Sequence, residues 1–248
     1  MNIFNIHIEF DSKIICKKVE EFIFKKQKAY VCVVDGNVIA TAQKDLSYRK
    51  ILNNANINTC DGSSIAVMTN LLYGTNFTVF TGPDLFEYYI EKPYRHVLVG
   101  NTEKKVEQIK AVVAKKGLAV NLQHVDIPFL HVEEFDYQTI AKQINDIQPD
   151  IIWVSLGAPK QEKFIYNIFP YIKQGVLFSI GAAFNFYVGD LKNNKKEVCG
   201  LRIIWLDRIL KEPKKQLRRV IGYLVQVPKM YWEEKKKVKN VKQTHLSL

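Results

Sequence analysis

Short apolar runs alternate with longer segments of helical period over the first 190 residues of the chain. The apolar runs are rich in β-branched and aromatic residues and are predicted to be strands, at 29–34, 77–82, 96–100, 118–125, 151–157 and 176–184. Several have apolar residues at consecutive positions, which is typical of strands that helices cover on both faces. The pattern therefore predicts an α/β fold with a mostly parallel sheet.

Two of the intervening segments carry clear helix signals. Segment 102–117 begins at a predicted N-cap, Thr102, and ends at Gly117, a common terminator. Segment 139–148 has the same period and stops before Pro149. Strands that alternate with such helices predict a Rossmann-like sheet with helices on both faces, whose ligands bind in loops at the carboxyl ends of the strands. Site residues are therefore expected in strand-to-helix loops.

The sequence becomes polar after residue 189 and then helical again. Residues 214–226 place five apolar side chains on one side of a helix and four basic ones on the other: Leu217, Val220, Ile221, Leu224 and Val225 against Lys214, Lys215, Arg218 and Arg219. Pro213 and Pro228 are predicted to bracket this basic amphipathic helix. We therefore predict two parts, an α/β domain at 1–190 and a basic appendage at 191–248.

The net charge of +11 lies entirely in the predicted appendage. Residues 1–190 contain 20 Lys and Arg and 20 Asp and Glu, whereas residues 191–248 contain 16 Lys and Arg and five Asp and Glu. A neutral body with a basic appendage predicts an anionic partner, either phosphate, a lipid headgroup or nucleic acid. Bulky apolar side chains beside the basic ones favour an anionic membrane surface, so no nucleic-acid partner is expected.

Cysteine usage and hydropathy indicate the compartment. The four cysteines (Cys16, Cys32, Cys60 and Cys199) are widely separated and lack the spacing of a disulfide framework or a zinc site, which predicts free thiols in a reducing compartment. The N-terminus lacks the basic start and apolar run of a signal peptide. The longest apolar runs, 151–158 and 176–184, are less than half of the ~20 residues that span a bilayer. We expect a cytoplasmic protein whose membrane contact is peripheral.

The Asp61–Gly62 pair follows the segment 51–59 and precedes another helical run. A carboxylate at a strand end can act as a general base by accepting the proton of an attacking sugar hydroxyl. The residues alone favour the simpler alternative, a turn in which Asp61 caps the next helix. Two further turns, at Thr81–Gly82 with Asp84 and at Gly100–Asn101, fit turn and cap roles as well.

Two small-residue segments follow predicted strands. In 155–164, Gly157 and Pro159 lead into a helix whose free amides attract a diphosphate; Lys160 adds positive charge, and Gln161 and Glu162 can bind hydroxyls. An ordinary strand-to-helix turn explains the same residues.

In 179–189, Gly181 precedes Asn185 and several aromatics, which can hold a base or a sugar ring. Those aromatics fit the core equally well.

Several nucleotide and metal motifs are missing from the sequence. Neither GxGxxG nor GxxxxGKS occurs, which removes the main support for a dinucleotide fingerprint or a P-loop. The DxD pattern that holds a divalent metal in many sugar transferases is also missing. We therefore expect a metal-free mechanism in which basic groups and helix N-termini offset diphosphate charge.

Five segments in order resemble the WecG/TagA/CpsF glycosyltransferase family (glycosyltransferase family 26), whose bacterial members elongate lipid-linked precursors of wall teichoic acid, enterobacterial common antigen and exopolysaccharide. They are 42–62, which ends in the Asp-Gly pair, 80–86 (FTGPDLF), 150–165 (DIIWVSLGAPKQEKFI), 179–189 (SIGAAFNFYVG) and 205–219 (WLDRILKEPKKQLRR). The long blocks GAPKQEKFI and WLxRxxxEP are the most specific of them.

The resemblance implies inverting transfer of a sugar, N-acetylmannosamine-type or another hexose, from a UDP-sugar to an undecaprenyl-diphosphate-linked sugar in teichoic acid, capsule or exopolysaccharide synthesis. It also implies that neither metal nor other cofactor takes part. The location implied is the cytoplasm, peripheral on the inner face of the bacterial plasma membrane. A homo-oligomer in equilibrium with an active monomer is compatible with a membrane-facing appendage.

The resemblance also implies roles for individual residues. Asp61 becomes the catalytic base. The donor contacts are implied to be Asp35, Thr81, Gly82, Gly100, Asn101, Gly157, Pro159, Lys160, Gln161, Gly181 and Asn185. The acceptor diphosphate and the membrane are implied to contact Arg208, Lys214, Lys215, Arg218 and Arg219.

The chain departs from the family pattern at several positions. The family's TxN motif falls on Val33 and Asp35, its arginine before the TGxDL turn on Val79, and its FDF aspartate on Asn185. A gained carboxylate and a lost arginine both weaken diphosphate binding, so another cation, Arg95 or Lys160, is expected to compensate. These departures suggest another donor or acceptor. They also motivate the alternative of a non-catalytic member that binds the lipid-linked precursor or partners an active transferase.

Overall fold

A computed structural model describes residues 1–191, 197–198, 201–202 and 213–246. The strands are β1 (Asn2–Ile3), β2 (Ile6–His7), β3 (Lys28–Val34), β4 (Ile57–Cys60), β5 (Arg95–Val99), β6 (Asn121–Val125), β7 (Ile151–Val154), β8 (Gly175–Ser179), β9 (Glu197–Val198) and β10 (Leu201–Arg202). Strands β3 to β8 form one sheet in the order β4-β3-β8-β7-β5-β6, and every neighbouring pair is parallel. Strands β1 with β2 and β9 with β10 form two short antiparallel hairpins.

Helices connect the strands of the large sheet. They are α1 (Ser12–Phe24), α2 (Gly36–Lys44), α3 (Leu46–Asn53), α4 (Ser63–Tyr73), α5 (Gly82–Ile90), α6 (Glu103–Lys115), α7 (Tyr137–Ile147), α8 (Lys160–Ile168), α9 (Ala183–Tyr187) and α10 (Pro213–Leu246). Two 3₁₀ turns lie at Val132–Glu134 and Phe169–Tyr171. No helix among these described ranges is both long and apolar enough to cross a membrane.

The sheet is buried on both faces because successive strand residues point to opposite sides. On one face, Cys32 and Val34 of β3 pack with helices α2, α3, α4, α7 and α8. On the other face, Val31 and Val33 of the same strand pack with α1, α5, α6 and α9. The Rossmann-like α/β fold with helices on both faces is therefore confirmed.

Most of the predicted strands lie close to the observed ones, and two differ. Segment 77–82 is not a strand: its last residue begins α5, because Thr81 caps that helix in a reciprocal capping box with Asp84. The predicted strand at 176–184 stops at Ser179, and a turn then leads into the short helix α9. A polar helix cap thus ended the first segment, and a turn at Gly181, which has a φ of 55°, ended the second.

Helix α10 is longer than predicted, since it runs through Pro228 to Leu246. A proline inside a helix lacks the N–H that would bond the carbonyl four residues earlier, here that of Leu224. Both residues are exposed, so water can satisfy that carbonyl. Beyond the proline, Met230 and Glu234 are buried, and this packing keeps the helix on its path.

Two polar contacts dock α10 against the rest of the protein. The Tyr223 ring covers Gly36, and its hydroxyl lies 2.8 Å from Ser64 Oγ. Farther along, buried Glu234 accepts a 2.7 Å hydrogen bond from the Tyr73 hydroxyl and a 3.0 Å bond from the Phe4 amide. The division into domains at residue 190 stays a prediction.

Candidate active site

A cavity of about 1370 Å³ opens at the carboxyl edge of the sheet. Its walls include a residue shortly after each of five strands: Asp35 after β3, Asp61 after β4, Asn101 after β5, Ser155 after β7 and Gly181 after β8. Parallel strands bring these loops together although the residues are spread over 146 positions of sequence. The cavity thus lies in the strand-to-helix loops where ligand binding was expected.

Asp61 faces the cavity and does not cap the helix that follows it. The N-cap of α4 is Gly62, with no capping hydrogen bond from a side chain. Asp61 Oδ1 instead accepts a 2.8 Å hydrogen bond from the Gly82 amide at the start of α5. That bond fixes the orientation of a partly exposed carboxylate at the cavity wall. The helix-cap interpretation of Asp61 is wrong, and a carboxylate suited to a base remains.

Thr81 and Gly82 support this carboxylate but are not among the residues that line the cavity. The Thr81 hydroxyl is 2.6 Å from Asp84 Oδ2 and its side chain is buried, so it is used in the capping box. Gly82 packs close to the end of β8, where a Cβ would lie 3.1 Å from the Ile180 carbonyl oxygen. These two predicted donor contacts therefore serve to position α5 and, through the Gly82 amide, Asp61.

The Gly100–Asn101 turn contributes one of its two residues to the cavity. Asn101 lines it and donates a 2.8 Å hydrogen bond from Nδ2 to Ser155 Oγ, which in turn donates to the Gly181 carbonyl at 2.6 Å. Gly100 lies behind this contact with a φ of 82°, and a Cβ there would lie 2.7 Å from the Leu156 side chain. Position 100 therefore requires glycine, both because of this close packing and because of its positive φ.

Gly157, Pro159, Lys160 and Gln161 all line the cavity. Pro159 follows a cis peptide bond. Lys160 Nζ donates to the Leu130 carbonyl and lies 5.0 Å and 5.2 Å from the ring centroids of Phe129 and Phe135.

Gln161 is almost fully buried, and its Oε1 accepts hydrogen bonds from the amides of Gly157 at 3.1 Å and Gly181 at 3.0 Å. The Gln161 oxygen thus links the two loops, and the donor contact by its side chain stays a prediction.

The aromatics that follow Gly181 divide between the cavity and the core. Asn185 and Phe186 line the cavity. Phe184 is fully buried, and Phe86 packs against both Phe184 and Tyr187, with ring centroids 5.0 Å and 5.2 Å away. The core interpretation thus holds for Phe184, whereas Asn185 lies where a ligand can reach it.

Arg219 enters the cavity from helix α10. Its Nη2 lies 3.4 Å from Asp35 Oδ2, and both side chains line the cavity. Asp35 Oδ1 accepts a 2.8 Å hydrogen bond from the Val38 amide, which makes this residue the N-cap of α2. Of the other basic residues predicted for the acceptor, Arg208 and the side chains of Lys214, Lys215 and Arg218 lie outside the described residues.

The expected compensation by Arg95 is wrong. Arg95 begins β5, at the amino edge of the sheet opposite the cavity, where its amide and guanidinium contact Asp150 at 2.9 Å and 3.7 Å. Val33 lines the cavity, and Val79 packs against the core. Within the described lining, the cations are Lys160 and Arg219 and the carboxylates are Asp35, Asp61 and Asp190.

Sequence reasoning missed several polar residues around the cavity. Ser155 and Asp190 line it, and Asp190 forms an ion pair with Lys105. Ser155 could have been found, because it is the first polar residue after a buried strand. The Tyr48 hydroxyl lies 2.9 Å from Glu162 Oε2. This contact could not have been found from the sequence, because 114 positions separate the two residues.

The sequence profile described as "Glycosyl transferase WecG/TagA/CpsF family" matches residues 1–242. Three similar proteins are each named N-acetylglucosaminyldiphosphoundecaprenol N-acetyl-beta-D-mannosaminyltransferase. The one from Bacillus subtilis (strain 168) is 26% identical over 229 residues, which cover 90% of this chain and 85% of that protein. The one from Bacillus spizizenii is 22% identical over 200 residues, 77% of this chain and 75% of that protein. The one from Staphylococcus aureus (strain MW2) is 22% identical over 250 residues, 95% and 94% of the two chains.

Proposed function

The chain belongs to the WecG/TagA/CpsF glycosyltransferase family, and on that basis we propose that it moves a sugar from a UDP-sugar to a hydroxyl of an undecaprenyl-diphosphate-linked sugar. The observation that carries the proposal is the cavity itself. It holds the Asp61 carboxylate on one side and the Arg219 guanidinium of α10 on another. A general base and a phosphate-binding group thus face the same space, which a transfer to a lipid diphosphate requires.

The transfer is a displacement at the anomeric carbon of the donor sugar. The acceptor hydroxyl oxygen bonds to that carbon, the bond from the carbon to the β-phosphate oxygen breaks, and its electron pair leaves with UDP. Asp61 takes the hydroxyl proton as the new bond forms. Because attack comes from the face opposite UDP, the anomeric configuration inverts. The hydrogen bond from the Gly82 amide holds the carboxylate in place for this step.

The donor diphosphate fits the loops that precede α8 and α9. Gly157 and Gly181 give a ligand access to the backbone, and α8 presents its N-terminus at the cavity. Backbone amides at a helix N-terminus bind phosphate oxygens without a cation. We therefore propose a transfer that needs neither metal nor cofactor, for which unchanged turnover in excess EDTA is the expected result.

The lipid diphosphate of the acceptor fits Arg219. A guanidinium binds phosphate oxygens through two parallel hydrogen bonds, and this one is already at the cavity. Asp35 occupies part of its donor capacity at 3.4 Å. The acceptor phosphates would therefore displace Asp35 from Arg219 when they bind.

The outer side of α10 fits a membrane surface, on the cytoplasmic face where UDP-sugars are available. It exposes five large apolar side chains: Leu217, Ile221, Leu224, Val225 and Trp232. The same helix, 213–246, carries ten Lys and Arg against two Glu. Apolar side chains that enter the headgroup region and lysines that attract anionic lipids are the two requirements for a helix that lies on a bilayer.

The names of the similar proteins give the first substrate pair to test. UDP-N-acetylmannosamine and undecaprenyl-diphosphate-N-acetylglucosamine would be supplied in vesicles, followed by a panel of other UDP-hexoses. We expect wild-type turnover and a 10²- to 10⁴-fold loss of kcat in D61N, about the contribution of a general base. Asparagine keeps an oxygen for the Gly82 amide, so thermal stability should not change.

Full activity in D61N would remove the base assignment. Binding of the lipid-linked acceptor without turnover of any donor would instead support a non-catalytic family member.

A further inference from the structure

Three buried side chains form a hydrogen-bonded chain behind the cavity. Tyr48 on α3 donates from its hydroxyl to Glu162 Oε2 at 2.9 Å, and Gln161 Nε2 donates to Glu162 Oε1 at 2.8 Å. Tyr48 and Glu162 are fully buried, and Gln161 is 3% exposed. The chain continues through Gln161 Oε1 to the amides of Gly157 and Gly181. It therefore links the core to two loops that line the cavity.

The orientation of the Gln161 amide is fixed by its partners. Its oxygen faces two N–H donors, and its nitrogen faces a carboxylate oxygen. Rotation of the amide by 180° would put NH₂ against the two backbone donors and an oxygen against Glu162. Each buried group would then lose its partner, which is costly in the protein interior. Glu162 thus acts together with the two loop amides to fix which atom of Gln161 faces the loops.

The two loops joined by Gln161 are those at which the proposed function places the donor diphosphate. Gly157 has a φ of 77° and Gly181 a φ of 55°, and both line the cavity. The Gly181 peptide is held on both sides, because Ser155 Oγ also donates to its carbonyl at 2.6 Å. The Gln161 oxygen, which bonds both amides, therefore sets the spacing between the loop after β7 and the loop after β8.

Burying a glutamate in this part of the core costs free energy, because the carboxylate loses its hydration. Burial raises the pKa of Glu162, which shows that the charged form is disfavoured there. An apolar side chain of similar volume would fill the same space with less loss of hydration energy. The hydrogen bonds from Tyr48 and Gln161 compensate in part, and their geometry is what an apolar residue could not provide.

We propose that Glu162 is a positioning residue of the sugar transfer: it holds the Gln161 amide in the orientation that keeps the Gly157 and Gly181 loops at the spacing the donor diphosphate needs. Glu162 and Tyr48 act through Gln161 and touch neither substrate. This role rests on the proposed function, since the donor is the ligand of the two loops. The hydrogen-bonded chain itself can be tested without any substrate.

A swap of the two adjacent residues tests the proposal. In Q161E, the carboxylate introduced at position 161 still accepts from both glycine amides, but it lies against the Glu162 carboxylate, and the two repel each other until the pair binds a proton. In Q161E/E162Q, the amide introduced at position 162 donates to that carboxylate and accepts from the Tyr48 hydroxyl. Every bond of the wild-type chain is then restored with the charge moved by one residue.

With UDP-N-acetylmannosamine and the lipid acceptor, we expect kcat/KM for the donor to fall about tenfold or more in Q161E at pH 8, because small misplacements of a binding loop are costly. The loss should shrink as the pH falls, because the carboxyl pair then gains its proton. The double variant should return to within about threefold of wild type, as expected when all partners are restored. A double variant as slow as Q161E, or a Q161E enzyme with wild-type activity at every pH, would overturn the proposal.

The amides of the two loops provide a measurement independent of turnover. Of the 12 glycines, only Gly157 follows a leucine, so ¹⁵N-glycine with ¹³C-carbonyl leucine labelling selects its amide signal. We expect this signal to shift and its hydrogen exchange to accelerate in Q161E, and both to return in the swap. An unshifted signal in Q161E would disprove the chain, whereas a restored signal without restored activity would disprove its role in transfer. Absence of turnover in wild type would instead count against the proposed function and leave the amide result to stand.

Discussion

The carboxylate of Asp35 lies 3.4 Å from the guanidinium of Arg219, so the loop after the first long strand meets the last helix inside the cavity. Both side chains are about one quarter exposed, and such a pair contributes little to the free energy of unfolding. Its effect is on the site, where Asp35 occupies the guanidinium that a phosphate would bind. Asp35, which departs from the family pattern, therefore has Arg219 as its ion-pair partner.

Replacing this carboxylate should make the acceptor bind more tightly. In D35N, Arg219 loses its competing anion, while asparagine remains a good N-cap for α2. We expect the KM for the lipid-diphosphate acceptor to fall by a factor of about two to five, the range of a partly exposed ion pair. Steady-state kinetics at fixed donor concentration measure it. The matched control is D190N, which removes another cavity carboxylate whose partner is Lys105; equal effects in both variants would refute competition for Arg219.

The apolar side of α10 should determine membrane binding. I221E/L224E places two charges on exposed apolar positions without disturbing the contacts of Tyr223 and Glu234 with the body. We expect binding to phosphatidylglycerol vesicles to weaken about 100-fold, since each large apolar side chain contributes about 1.5 kcal/mol or more on burial.

Vesicle co-sedimentation measures this binding, and F24S provides the control. Phe24 is an even more exposed apolar side chain at the end of α1, away from α10. Retained binding in I221E/L224E would show that another surface faces the membrane.

Close packing at Gly36 should make the docking of α10 sensitive to one methyl group. In G36A the added carbon would lie 2.6 Å from the Tyr223 ring, whose hydroxyl is held by Ser64. We expect a loss of about 1–3 kcal/mol in the free energy of unfolding, as overpacking usually costs.

Urea denaturation measures the loss, with G222A as the control. Gly222 lies inside α10 with open space where a Cβ would lie, so alanine there should stabilise the helix by up to about 1 kcal/mol. Equal effects at the two glycines would contradict the packing seen at Tyr223.

His96 should make the protein less stable in mild acid. Burial lowers the pKa of His96 to about 4, and its Nδ1 accepts a 3.2 Å hydrogen bond from Trp153 Nε1. As the pH falls, the unfolded chain therefore binds a proton at His96 near pH 6.5, whereas the folded protein binds it only near pH 4. The stability that neutral His96 contributes is present above pH 6.5 and is lost as the pH falls toward 4.

Between pH 6.5 and pH 4, the free energy of unfolding should fall by on the order of 3 kcal/mol because of His96. Urea denaturation of wild type and H96Q at a series of pH values gives it as the difference between the two curves, which cancels the titration of other groups. Parallel curves would mean that another group accounts for the acid sensitivity.

The fold and the position of the site could be predicted because both depend on local signals. The apolar runs before Asp35 and before Gly157 are buried strands, and consecutive apolar residues are enough to predict them. The loops after them follow from the topology of parallel sheets. Segment 77–82 misled because Thr81 and Asp84 end an apolar run with a helix cap, which periodicity does not register.

The contacts within the site could not be predicted in the same way. Arg219 and Asp35 are 184 positions apart, and the docking of α10, including the packing of Tyr223 on Gly36, brings them together. The use of Gln161 as a link between two loops depends on where Glu162 points, which no spacing encodes. Contacts of this kind are decided by tertiary packing, so the sequence placed these residues in the site without showing which residues they contact there.

Helix α10 also sets a length scale for the acceptor. Arg219 and Ile221 lie within one helical turn, with the first at the cavity and the second exposed, so the guanidinium and the outer apolar surface are about one helix diameter, roughly 10 Å, apart. Under the proposed function, a lipid diphosphate bound to Arg219 would therefore lie below the membrane surface by about the thickness of this one helix.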